Sequence, residues 1–123
     1  MKLNTDASVD ERNGTMGLGW VLRDDKGKFI AAMSVPGNGV FTPSEAEGMA
    51  IREALSWLKE KGITKVQVET DALQVVQQLG EIEGVSSFSL LILDIKDMLD
   101  SLSHEWTVDP PSFIINDLYN DLN

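Results

Sequence analysis

From Lys2 to Val9 the chain alternates. Leu3, Thr5, Ala7 and Val9 take one parity, and Lys2, Asn4, Asp6 and Ser8 take the other. A period of two predicts a β-strand with one face buried and one solvated. Asn13-Gly14 is the strongest short hairpin signal in the chain. A second strand is expected over about Leu18 to Arg23, and Asp25-Lys26-Gly27 turns the chain again. Phe29 to Val35 reads as a third strand, closed by Pro36-Gly37-Asn38-Gly39. Three strands joined by tight turns make an antiparallel meander.

The period then changes. In TPSEAEGMAIREALSWLKEKG, Thr42 can cap a helix, Pro43 suits its first position, and Glu45 completes a capping box. Lys59 and Lys61 complement the C-terminal dipole, and Gly62 ends the helix. KVQVET is a short strand. A crossover helix between it and the meander implies that it pairs in parallel. ALQVVQQLG predicts a shorter helix. Phe88, Leu91, Ile92, Ile95, Leu99 and Leu102 recur at helical spacing and predict a third. After Leu102 the pattern loosens into EWTV, the stop Pro110-Pro111, and SFIINDLYNDL, a weak terminal helix. The expected organisation is one α/β domain over residues 1–102 and an acidic tail over residues 103–123.

Composition narrows this reading. At 123 residues the chain is large enough to bury a core as one domain, and without cysteine neither disulfides nor thiolate metal sites arise. MKLNTDAS lacks the apolar stretch of a signal peptide, and no run is long enough to cross a membrane. A soluble intracellular protein is expected. Charge carries more information: 20 Asp and Glu against 10 Lys and Arg give a net charge of −10. After Lys96 no base follows, while Asp97, Asp100, Glu105, Asp109, Asp117 and Asp121 do. Such a surface repels phosphates at long range and opposes nucleic-acid binding.

Three acids stand out from the solvated majority. Asp6 sits inside a strand, where Asp is disfavoured; taken alone, a solvated strand face is the plainer account of it. On a helical wheel Glu47 aligns with Ala50, Ile51, Ala54 and Leu58, whereas Glu45, Arg52, Glu53 and Glu60 fall on the other side. An acid on the buried stripe is costly unless a charge or hydrogen bond meets it. A second capping box from Ser44 to Glu47 is the alternative. Asp71 ends the QVET strand and could simply cap the next helix, with Gln74 three residues on. If the first and fourth strands are neighbours, all three acids can converge near one end of the sheet. Clustered carboxylates raise one another's pKa unless a cation compensates, and hard divalent cations take such oxygen ligands. Two such ions about 4 Å apart can activate water against a phosphodiester. The single histidine, His104, lies in the tail and reads as a surface residue.

In KLNTDASV, GLGWVLRDDKGKFIAA, SEAEGMAIREAL and VQVETDALQVVQQL the chain resembles the ribonuclease H family, and more narrowly its plant reverse-transcriptase-like group. The stretches follow the family's order and spacing from residue 2 to about residue 80. The resemblance implies a metal-dependent endonuclease that cuts the RNA strand of an RNA–DNA hybrid. It implies Asp6, Glu47 and Asp71 as catalytic ligands of Mg²⁺ or Mn²⁺. The implied fold is a ribonuclease H-like mixed sheet, an antiparallel three-strand meander plus one parallel strand, with helices. It lacks the family's fifth strand and last helix, which carry a fourth functional acid or histidine. Asn116-Asp117 is not assigned to that role. Ala7 stands where many relatives have Gly, and its methyl is expected to crowd a close-approaching strand.

Without a fifth strand, the fourth is expected to form an open edge that the acidic tail or a partner protein could cover. Two functions follow. One is hydrolysis of hybrids through the three carboxylates. The other is a catalytically inactive ribonuclease H-like module that binds a partner through that edge.

Overall fold

The computed structural model describes residues 1–39, 42–63, 65–70, 87–102 and 113–114. The alternating segments form strands β1 (Lys2–Asp10), β2 (Thr15–Arg23) and β3 (Phe29–Asn38). They pair as the expected meander, with Asp6 opposite Gly19 and Gly19 opposite Ser34. Local side chains make the turns. Asp10 accepts from the Asn13 backbone N–H at 3.2 Å and from Asn13 Nδ2 at 2.7 Å. Asp24 Oδ1 accepts from the backbone N–H groups of Lys26 and Lys28 at 2.9 and 2.8 Å. These Asx-type bonds replace the ladder bonds that the chain gives up on reversing.

β3 continues to Asn38, three residues past the expected Val35. It is an outer strand of the sheet, where a proline such as Pro36 is tolerated. Beyond it Gly37 leaves room for the Met16 side chain, which a Cβ at that position would strike.

Helix α1 (Pro43–Glu60) starts where the capping box places it. Glu45 N–H donates to Thr42 Oγ1 at 3.2 Å, and Thr42 N–H donates to Glu45 Oε1 at 3.3 Å. Its end is a Schellman motif: Ile63 N–H donates to the Leu58 carbonyl at 3.0 Å and Gly62 N–H to the Lys59 carbonyl at 3.1 Å. Gly62 supplies the φ of +70° that this reversal needs. Strand β4 (Gln67–Thr70) then pairs in parallel with β1, Lys2 beside Gln67 and Asn4 beside Glu69, as the crossover requires. Helix α2 (Ser87–Leu102) follows the predicted spacing and buries Leu91, Ile92, Ile95 and Leu99. The expected helix ALQVVQQLG lies outside the described residues.

The sheet order is β3-β2-β1-β4-β5. Strand β5 (Phe113–Ile114) is two residues long and antiparallel to β4, pairing with Glu69 and Thr70. Of the two covers expected for the β4 edge, the tail or a partner, the tail supplies one here, and within SFIINDLYNDL it puts strand where a weak helix was expected. Phe and Ile suit a strand, and the stretch follows Pro110-Pro111, which already ends helical continuation.

One core joins Leu3, Trp20, Leu22 and Val68 of the sheet to Ile51, Ala54, Leu55 and Leu58 of α1 and to Ile92, Ile95 and Leu99 of α2. Both helices therefore cover the same face of the sheet. Arg52 adds a surface link between them, its Nη1 3.8 Å from Asp94 Oδ2. On the opposite face lie Lys2, Asn4, Asp6, Ser8 and Asp10 of β1, all exposed. Among the described residues no helix covers that face.

Candidate carboxylate site

The strand period sends Asp6 away from α1, because Thr5 on one side of it is buried in the core and Ala7 on the other packs toward α1. Its cross-strand partner is Gly19, and beyond Gly19 lies Ser34. Ser8, two residues on, stands opposite Gly17. Asp6, Ser8, Gly17, Gly19 and Ser34 line an open depression of about 200 Å³, with Ala7 and Leu18 completing it. Glycine keeps the floor low: a Cβ on Gly17 would sit 3.1 Å from Ser8 Oγ. Ala7 N–H donates to Asp6 Oδ1 at 2.9 Å, which holds the carboxylate against its own strand.

Ala7 does not crowd this face. It packs against Met16, Leu18, Ala46 and Ala50 on the α1 side, so the expected steric cost beside Asp6 does not arise there.

Glu47 lies on the stripe of α1 that reaches the core one turn on at Ile51 and two turns on at Ala54. The residue is half-buried and its Oε2 is shielded from solvent. The N-cap is Thr42 with Glu45 as reciprocal partner, and Ser44 lies inside the helix, so Glu47 is not the cap's partner. Asp6 and Glu47 thus belong to elements that pack together, but Asp6 faces the open side of the sheet and Glu47 approaches from the helical side. Asp71 lies outside the described residues; Thr70, just before it, is the last residue of β4. The condition for convergence, β1 beside β4, is met. Among the described residues no group of three or more His, Cys, Asp or Glu is placed to hold a metal ion. The donors at issue are all carboxylate oxygens, a set suited to a hard divalent cation.

Sequence reading missed the rest of the depression. The signal was present in Gly17-x-Gly19: spacing of two puts both glycines on one strand face, opposite the parity that includes Asp6 and Ser8.

An antiparallel meander and a parallel fourth strand reached by a crossover helix make up a ribonuclease H-like fold, here with an acid in the middle of the first strand. Solved structures agree. The ribonuclease H1 of the halophilic archaeon Halobacterium salinarum NRC-1 superposes with a TM-score of 0.72 at 20% identity, over 83% of this chain and 78% of that one. LC11 ribonuclease H1, isolated from compost by a metagenomic approach, is similar in its complex with an RNA/DNA hybrid. Its TM-score is 0.68 at 23% identity, over 82% and 77% of the two chains. The N-terminal ribonuclease H domain of a Mycobacterium tuberculosis protein gives 0.62 at 21%, over 82% and 76%. No curated protein matches the chain. The sequence pattern of the reverse transcriptase-like family matches residues 4–109, and the chain belongs to that family.

Proposed function

We propose that this chain is a metal-dependent endonuclease acting on the RNA strand of RNA–DNA hybrids, with Asp6, Glu47 and Asp71 as ligands of Mg²⁺ or Mn²⁺. The observation that carries the reading is the parallel pairing of β1 with β4. It sets the strand bearing Asp6 beside the strand that runs directly into Asp71. α1, packed on β1 and β2, carries Glu47. A hybrid-bound relative with the same fold supports the choice of substrate.

Divalent ions at such a site supply an activated water and charge neutralisation for the leaving oxygen. The chain's own residues have simpler tasks. Asp6, fixed by the Ala7 N–H, presents carboxylate oxygen at the open face. Glu47 offers an oxygen kept from bulk water, where electrostatic attraction is stronger. Gly17 and Gly19 let a sugar–phosphate backbone approach the sheet closely.

The test is cleavage of a hybrid carrying a labelled RNA strand, in Mg²⁺ and in Mn²⁺. Wild type should cut, and Glu47→Gln should reduce cutting to background while the fold persists. Equal cutting by the two proteins would refute the assignment. A second reading, a module that binds without cutting, is favoured by the net charge of −10. It predicts no cleavage by wild type and partner binding unchanged by Glu47→Gln.

A further inference from the structure

With β5 against β4, the remaining flank of the sheet is β3. It ends the sheet order, and its outer side meets no strand among the described residues. Its sequence, FIAAMSVPGN, holds no charged residue. Every other strand longer than β5 has at least one: Lys2, Asp6 and Asp10 in β1, Arg23 in β2, Glu69 in β4. Outer strands commonly carry a lysine or another inward charge that discourages pairing with a second chain. β3 also carries Phe29, Ile30 and Met33, which are 57%, 46% and 39% exposed and account for three of the five exposed large apolar residues described.

We infer that β3 is the seam of a symmetric dimer, in which two copies of this chain pair their β3 strands antiparallel and join their sheets. The absence of charge is what selects a second copy over an unrelated strand. Across a two-fold seam each strand meets itself, so a charge near the axis would stand opposite its own kind, which is destabilising. An unlike partner could match a charge with its opposite and would not require a neutral strand. The pairable run is bounded at both ends. The register shift at Leu22/Arg23 bends the strand near Phe29, and Pro36 offers no N–H to a partner. Between them Ala31, Ala32 and Ser34 are small enough for a close seam. A run this short makes a weak dimer. The −10 charge of each copy opposes association, and dissolved salt screens that repulsion. Added salt therefore tightens the dimer.

The experiment is sedimentation equilibrium of the whole chain from about 1 µM to about 1 mM, where weak complexes populate. Ala32 is exposed near the middle of the run, so Ala32→Lys and Ala32→Glu should each keep the wild-type circular dichroism. Wild type should show a monomer–dimer equilibrium, and each variant alone should weaken it by up to about fivefold. An equimolar mixture of the two variants should restore it, since Lys then faces Glu. A wild type monomeric throughout would overturn the proposal. So would a dimer unaffected by both single variants, which would put the contact elsewhere. A mixture that stays monomeric, or variants that lose thermal stability because another segment of the chain covers β3, would overturn it as well.

Discussion

At the residue scale, Asp6 and the core residues make opposite predictions. The Asp6 side chain is exposed, and its bond is to the N–H of its own neighbour. Asp6→Asn should therefore leave thermal stability within about 0.5 kcal/mol of wild type. Leu55 is fully buried between sheet and helices, and Leu55→Ala should cost about 2–5 kcal/mol in denaturant unfolding. A third case concerns pH. The terminal ammonium of Met1 lies 2.6 Å from Asp25 Oδ1 and holds that carboxyl below its usual range, through the hydrogen bond first and the charge second. A depressed folded-state pKa gives stability above the unfolded carboxyl's pKa that is lost as pH falls through the lower folded value. The small Tm difference between wild type and Asp25→Asn should thus be present at neutral pH and fade as the pH is lowered through and below the ordinary carboxylate range. A difference unchanged across that acid range would contradict the pairing. Asp6 was legible because a strand's parity alone places its side chain. Gly17 and Gly19 were not, since an absent side chain acquires meaning only when the neighbouring strands put Ser8 and Ser34 around it.

At the scale of elements, what the sequence disclosed was what short-range chemistry decides. Both ends of α1 follow from groups within a few residues: the Thr42–Glu45 exchange at its start, Gly62 at its end. Thr42→Ala should cost about 1 kcal/mol, and Gly62→Ala a similar amount because alanine is strained at a φ of +70°. Double substitution should be close to additive, the two ends being 20 residues apart with no shared partner. β3 and β5 were misjudged for a non-local reason. Pro36 looks like a terminator until the strand is known to lie on the outside of the sheet. Phe113 and Ile114 look like part of a tail until β4 is there to pair with them. The two corrections exchange the roles of the sheet's flanks: β4 gains cover, and β3 is left as the long neutral margin.

At the scale of the molecule, fold and charge pull in different directions. The fold is shared with ribonuclease H1 structures, one of them bound to an RNA/DNA hybrid, while a net charge of −10 on this chain repels nucleic-acid backbones. Under the proposed function a divalent cation would reconcile the two, giving carboxylates and phosphates a shared counter-charge. On that account hybrid binding should depend strongly on Mg²⁺ or Mn²⁺ and be lost with chelator, whereas a surface of lysines would bind without metal. The sequence singles out the three acids, and their proposed assembly depends on strand order and helix placement. The structure supplies the adjacency of β1 and β4 on which that assembly relies.

The most direct measurement is the thermal stability of the purified chain against Mg²⁺ and Mn²⁺, run beside Asp6→Asn. A ligand that binds the folded state alone stabilises it by about 2.7 kcal/mol at 100 times its Kd. The account predicts that Tm climbs with millimolar metal in wild type and stays flat in Asp6→Asn. A wild-type Tm indifferent to both metals, or a climb of equal size in the variant, would contradict it.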